Sequence, residues 1–124
     1  MREHSEKLKI DQTCCHGNPY KGGHKPIMRL MWGLLKVEGV QFRCSQVLEA
    51  RAKRRGTELV VMIQPADLHP TVVAKCSCLY TVHVTLPKDG GWNRLRVVTR
   101  HDFYGRSSAP PIELVGVIDR EQGR

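Results

Sequence analysis

The chain has 124 residues, carries a formal charge of +8, and is 40% hydrophobic but only 6% aromatic. Those values fit one globular domain with an aliphatic core and exclude a disordered chain. No run approaches the ~18 apolar residues of a membrane-spanning helix, and the cationic excess favours an anionic partner, either nucleic acid or an acidic protein.

Residues 1–7 read as a loose polar start to a single domain covering 1–124. The stretch from Met1 to Lys7 lacks the apolar centre of a signal peptide. The expected location is therefore cytoplasmic, or exported if a leader has been removed. Leu8 to Cys14 alternates apolar with polar, which is strand periodicity. Gly17, Pro19, Gly22, Gly23 and Pro26 make 16–26 a loop.

Ile27 to Val37 fits either a strand in which Met28, Leu30 and Trp32 share a face or a helical stripe of Leu30, Leu34 and Val37. Strand is preferred because Gly33 interrupts and Gly39 follows closely, and Val40 to Cys44 alternates as another strand. Residues 45–55 fit a short helix capped by Ser45 or the first arm of a hairpin turning at Arg54-Arg55-Gly56. The hairpin is preferred, because Glu58 to Ile63 is the most strand-like run in the chain. Pro65 and Pro70 bracket a loop, and Thr71 to Ala74 is a short β-branched run. Cys76 to Leu86 is a long alternating strand, Asp89-Gly90-Gly91 signals a turn, and Leu95 to Val98 is expected to return as its hairpin partner. Residues 105–111 form a loop before a last strand, Ile112 to Ile118. Seven or eight such strands predict an all-β fold, a small antiparallel sandwich or barrel, with at most one short helix.

The five cysteines have an odd count, so at least one stays unpaired within the chain. Alternation puts Cys76 and Cys78 on the apolar face with Tyr80, Val82 and Val84. Residues two apart on a strand are too distant for an ordinary disulfide, so these two do not pair with each other. Cys44 follows Phe42 on a strand face and is assigned to the core. Three readings stay open for the rest: buried thiols, disulfides between the two cysteine pairs, or a metal site. In the third, Cys14, Cys15, Cys76 and Cys78 would offer four thiolates to zinc or copper.

Cys14-Cys15 and Cys76-Ser77-Cys78-Leu79-Tyr80-Thr81-Val82 resemble the pattern of small bacterial β-rich proteins, some periplasmic or lipid-anchored, with an early CC dipeptide and a C-x-C before a strand. The resemblance implies an antiparallel β fold and carries no assigned activity.

Two basic groups stand out: Arg51, Lys53, Arg54 and Arg55 at the expected hairpin tip, and Arg94, Arg96 and Arg100 further on. If they converge, they form a phosphate-binding surface, with Trp92 and Tyr104 beside it as stacking platforms. Loops 16–26, 65–71 and 99–111 are the candidate partner-binding loops, with His101, Phe103 and Tyr104 as mixed polar and aromatic contacts. No G-x-S-x-G, phosphate-binding glycine loop or H-E-x-x-H occurs, so a non-enzymatic binding or interaction module is expected. A cysteine-rich metal protein and a nucleic-acid binder are the alternatives.

Overall fold

The computed structural model describes residues 5–13, 25–88 and 90–120. Nine strands occur among the described residues: β1 (Glu6–Leu8), β2 (Ile10–Thr13), β3 (Ile27–Met31), β4 (Leu34–Arg43), β5 (Leu48–Arg55), β6 (Glu58–Pro65), β7 (Ser77–Thr85), β8 (Arg94–Thr99) and β9 (Glu113–Asp119). They form a five-stranded sheet, β1-β5-β6-β8-β9, packed on a four-stranded sheet, β2-β7-β4-β3. The fold is thus all-β and a sandwich rather than a barrel. No helix occurs among the described residues.

Alternation builds the core. From the four-stranded sheet, Leu35, Val37, Val40 and Phe42 of β4 and Tyr80, Val82 and Val84 of β7 are buried. From the other sheet, Ala50 and Ala52 of β5, Leu59, Val61 and Ile63 of β6, and Leu95 and Val97 of β8 meet them. Each Val, Leu or Ile side chain so removed from water contributes ~1.5–3 kcal/mol. Val37 and Val40 are three apart yet both buried, because Gly39 (φ 86°) forms a bulge that shifts the register between Glu38 and Val40. A left-handed backbone suits glycine there.

Several expectations need correction. Residues 48–55 are strand, in the predicted hairpin with β6, which settles the helix-or-strand question. Leu8 to Cys14 is not one strand: the chain changes sheet at Lys9, so β1 pairs with β5 and β2 with β7. Trp32 is not a strand residue. It sits with Gly33 at the tip of a β3–β4 hairpin, both with positive φ (54° and 79°). Val40 to Arg43 continues β4 instead of starting a new strand. Thr71 to Ala74 is not strand.

The β7–β8 hairpin does not form. Asp89 lies outside the described residues, but the flanking strands belong to different sheets, and β8 pairs in parallel with β6. Pro87 and the glycines carry the chain across the sandwich, so the turn signal marks a break in the strand but not a tight return.

Candidate functional site

One end of the sandwich gathers the loop after β4, the loop after β6 and the loop after β8. The leading strand residue is Arg43. Its Nε donates to Asp102 Oδ2 at 3.0 Å and its Nη2 to Oδ1 at 3.5 Å. Gln46 Nε2 donates to the same Oδ2 at 2.8 Å, and the Tyr104 N–H donates to Oδ1 at 3.0 Å. Asp102 is 2% exposed. Burial pushes its carboxyl pKa up, but the hydrogen bonds from Arg43 and Tyr104, the Arg43 charge and Gln46 outweigh this and hold it below the ordinary value.

Beneath this network Tyr80 is buried. Its hydroxyl donates to the Arg43 carbonyl at 2.6 Å and accepts from the Gln46 N–H at 3.1 Å. Gln12 adds a strut from β2: its Nε2 donates to the Gln46 carbonyl at 2.7 Å, and its Oε1 accepts from the Leu48 N–H at 2.7 Å. Two sheets and two loops are therefore tied by groups with few unmet hydrogen bonds, the condition under which a buried polar network fixes geometry.

The candidate loops 65–71 and 99–111 lie side by side. The Phe103 N–H donates to the Leu68 carbonyl at 2.8 Å, and Phe103 packs on His69 with ring centroids 4.6 Å apart. Loop 16–26 falls almost wholly outside the described residues. Between the 43–47 and 65–74 segments lies a mainly apolar groove of about 470 Å³, walled by Val47, Pro65, Pro70, Val72 and Val73, with Arg43 and Asp67 at its polar margin. Val47 and Val72 are 69% and 82% exposed.

The predicted trio separates. Tyr104 is exposed at this end with the Arg43 guanidinium 5.7 Å from its ring centroid, and Phe103 serves the loop packing. His101 turns into a different cleft of about 430 Å³ with Pro26, Gly39, Thr99 and Glu113, where its ring packs on Phe42 at 5.1 Å. Burial lowers the His101 pKa, against the opposing pull of Glu113 and Asp102, with Arg106 and Arg43 lowering it further. His101 and Asp102 are adjacent in sequence, but Asp102 accepts from Arg43, Gln46 and Tyr104 whereas the His101 ring packs on Phe42.

Cys44 is not simply core. It stands opposite Cys76 across β4 and β7, with the Cys44 N–H donating to the Cys76 carbonyl at 3.0 Å, and the two sulfurs form a disulfide with Cα atoms 5.5 Å apart. Cys76 is exposed rather than inward, Cys44 half-buried, and Cys78 buried with its thiol sulfur 3.1 Å from Cys44 Sγ. Cys14 and Cys15 lie outside the described residues. Of the proposed metal ligands, Cys76 thus has its sulfur in a bond, and no group of three or more candidate ligands occurs among the described residues.

The two basic groups do converge. Cross-strand register places Lys7 beside Arg51, Lys53 in line with Val60 and Arg96, and Arg55 in line with Glu58 and Arg94, all on the outer face of the five-stranded sheet. Arg51 pairs with Glu49, Arg94 with Asp119 and Arg96 with Glu58, while the Arg100 guanidinium donates to Gln64. Arg54 faces the other way, its guanidinium against Gly91. Trp92 is buried under Arg120, 3.6 Å from its ring centroid, so it offers no stacking face.

Two features escaped the sequence reading: the Arg43–Asp102–Gln46–Tyr80 network, whose members are up to 59 residues apart, and the fully exposed Trp32. No helix of the described residues is long and apolar enough to cross a membrane. Compared with protein-family models, curated proteins and solved structures, the chain matches none.

Proposed function

We propose that the protein is a non-enzymatic binding module that takes a protein partner at the loop end of the sandwich. The observation that carries this reading is the apolar groove between 43–47 and 65–74, which Arg43 and Gln46 of the hydrogen-bond network with Asp102 help to line. Rigid loops on a rigid scaffold are where such domains recognise partners, and a preorganised groove loses little conformational freedom on binding. The exposed Val47 and Val72 offer apolar contact. Arg43 at the margin, with the Tyr104 ring beside its guanidinium, suits a partner segment carrying a carboxylate beside an apolar side chain. The protein's net charge of +8 would speed encounter with an acidic partner.

A photo-crosslinking amino acid placed at Val72 or at Tyr104 tests this, with Lys36 on the four-stranded sheet as the control position. Both loop positions should label the same species, and Val72→Asp should abolish labelling from position 104. Labelling no stronger than at Lys36 would overturn the proposal.

A second reading has its own observation: the shared outer face of Arg51, Lys53, Arg55, Arg94 and Arg96. On this reading the face attracts nucleic-acid phosphates, and retention of single- or double-stranded DNA on a filter should fall steeply with salt. The carboxylate partners of Arg51, Arg94 and Arg96 weaken it, because they already neutralise part of the field. For compartment, the Cys44–Cys76 bond supports an oxidising environment.

A further inference from the structure

We propose that the three cysteines around the β4–β7 end form a thiol–disulfide exchange site. In it the buried Cys78 displaces Cys76 from Cys44 and delivers a reactive thiol to the surface. The inference rests on placement. Cys44 Sγ is bonded to Cys76 and lies 3.1 Å from Cys78 Sγ. Cys78 is the second residue of β7 and Cys76 lies just before the strand, so they flank Ser77, and both sulfurs are within reach of Cys44 Sγ. Attacking and leaving sulfurs thus both lie at the central one, the proximity that thiol–disulfide exchange requires.

The step conserves electrons. Cys78 gives its proton to solvent, and its thiolate forms a bond to Cys44 Sγ as the Cys44–Cys76 bond breaks. Cys76 then leaves as a thiolate and takes up a proton. Neither an oxidant nor a reductant is consumed. The two states differ in which thiol is presented: buried Cys78 in one, exposed Cys76 in the other. In the second state Cys76 forms mixed disulfides with disulfide-bearing molecules, or reacts with electrophiles, which buried Cys78 does not. The exchange also unties the wall of the groove from β4, because Cys76 closes the segment that carries Val72 and Val73.

The test uses the full chain with Cys14→Ser and Cys15→Ser, air-oxidised and incubated folded with N-ethylmaleimide, then analysed by tandem mass spectrometry. The expected products are N-ethylmaleimide on Cys76 and a Cys44–Cys78 disulfide. Adding Cys78→Ser should slow labelling of Cys76 at least tenfold. Adding Cys76→Ser instead should leave a protein that oxidises to the Cys44–Cys78 disulfide. Persistence of the Cys44–Cys76 bond with Cys76 unlabelled, or labelling of Cys76 at an equal rate in the Cys78→Ser protein, would overturn the proposal. The labelling measurement decides the question even if the Cys76→Ser protein does not fold.

Discussion

Arg43, the last residue of β4, and Asp102, in the loop after β8, are joined across 59 residues of sequence, their Nε and Oδ2 atoms 3.0 Å apart. Asp102 is buried and Arg43 is about one-third exposed, so only one of the two charges is fully desolvated. Removing the arginine would strand a buried carboxylate, whereas removing the carboxylate frees an arginine that reaches water. Arg43→Ala should therefore cost more than Asp102→Asn. We expect about 3 kcal/mol for the first and about 1–2 kcal/mol for the second, read from urea unfolding midpoints. The reverse order would mean that Gln46 and Tyr104, not Arg43, hold the carboxylate.

The same pair sets an acid limit. Because the Asp102 pKa is depressed in the folded protein, its contribution is complete above the unfolded value of about 3.9. It is lost as the pH falls below that value, through the folded pKa. The stability gap between the wild type and Asp102→Asn should shrink between pH 5 and about pH 2. An unchanged gap would show that Asp102 is not the group being protonated.

Tyr80→Phe tests the floor of the site. The hydroxyl serves the Arg43 carbonyl and the Gln46 N–H at once, and both would lose a partner. A loss of about 1–3 kcal/mol is expected, with amide exchange at Gln46 speeding more than exchange in β6. If exchange rises equally everywhere, the substitution has acted on global stability and not on the turn.

The elements that sequence periodicity reveals and those it hides differ in a physical way. Glu58 to Ile63 and Tyr80 to Val84 announce themselves because each residue's facing is a local property with period two. Pairing partners are not local. Alternation placed Cys76 and Cys78 on one face but gave no means of choosing Cys44, rather than Cys14 or Cys15, as the residue opposite. It equally gave no sign that β8 would lie parallel to β6. For the candidate site, turn-rich composition marks 65–71 and 99–111 as loops for a partner but says nothing of their contact with each other. The buried Asp102 gives no signal either, because an Asp in a loop reads as solvated until its Arg43 partner is located. Trp32 was lost for a related reason: Met28, Leu30 and Trp32 match a strand stripe, and only the positive φ at Trp32 and Gly33 reveals the turn.

His101 predicts a pH response in a different window. Its pKa is lowered in the folded state, chiefly by burial, so the unfolded chain binds the proton more readily. Stability should hold above the unfolded value of about 6.5 and fall as the pH drops below it, levelling off under the folded pKa. His101→Gln should flatten that decline between pH 7 and 5. An NMR titration of the His101 ring with a midpoint at or above 6.5 would contradict the assignment.

The Cys44–Cys76 bond closes a loop with a sequence separation of 32, and chain-entropy scaling gives about 3–4 kcal/mol for such a loop. In a Cys78→Ser protein, where exchange has no attacking thiol, dithiothreitol should lower stability by that amount. Hydrogen exchange should quicken first in residues 66–76. A shift below about 1 kcal/mol would mean that the hydrogen bonds of the β4–β7 ladder already hold this segment closed.

Trp32 is fully exposed at φ 54°, beside Gly33 at φ 79°. A two-residue hairpin with both φ angles positive favours Asn-Gly, and a bulky residue in the left-handed region costs about 1–2 kcal/mol. Trp32→Asn should therefore raise the unfolding free energy by about 0.5–1 kcal/mol, measured by thermal or urea denaturation. That gain would show the tryptophan to be unfavourable for the fold, leaving surface contact as the reason for an indole at the hairpin tip. A loss of stability would instead mean that the ring packs onto the sandwich in solution and that the tip is part of the structure's own core.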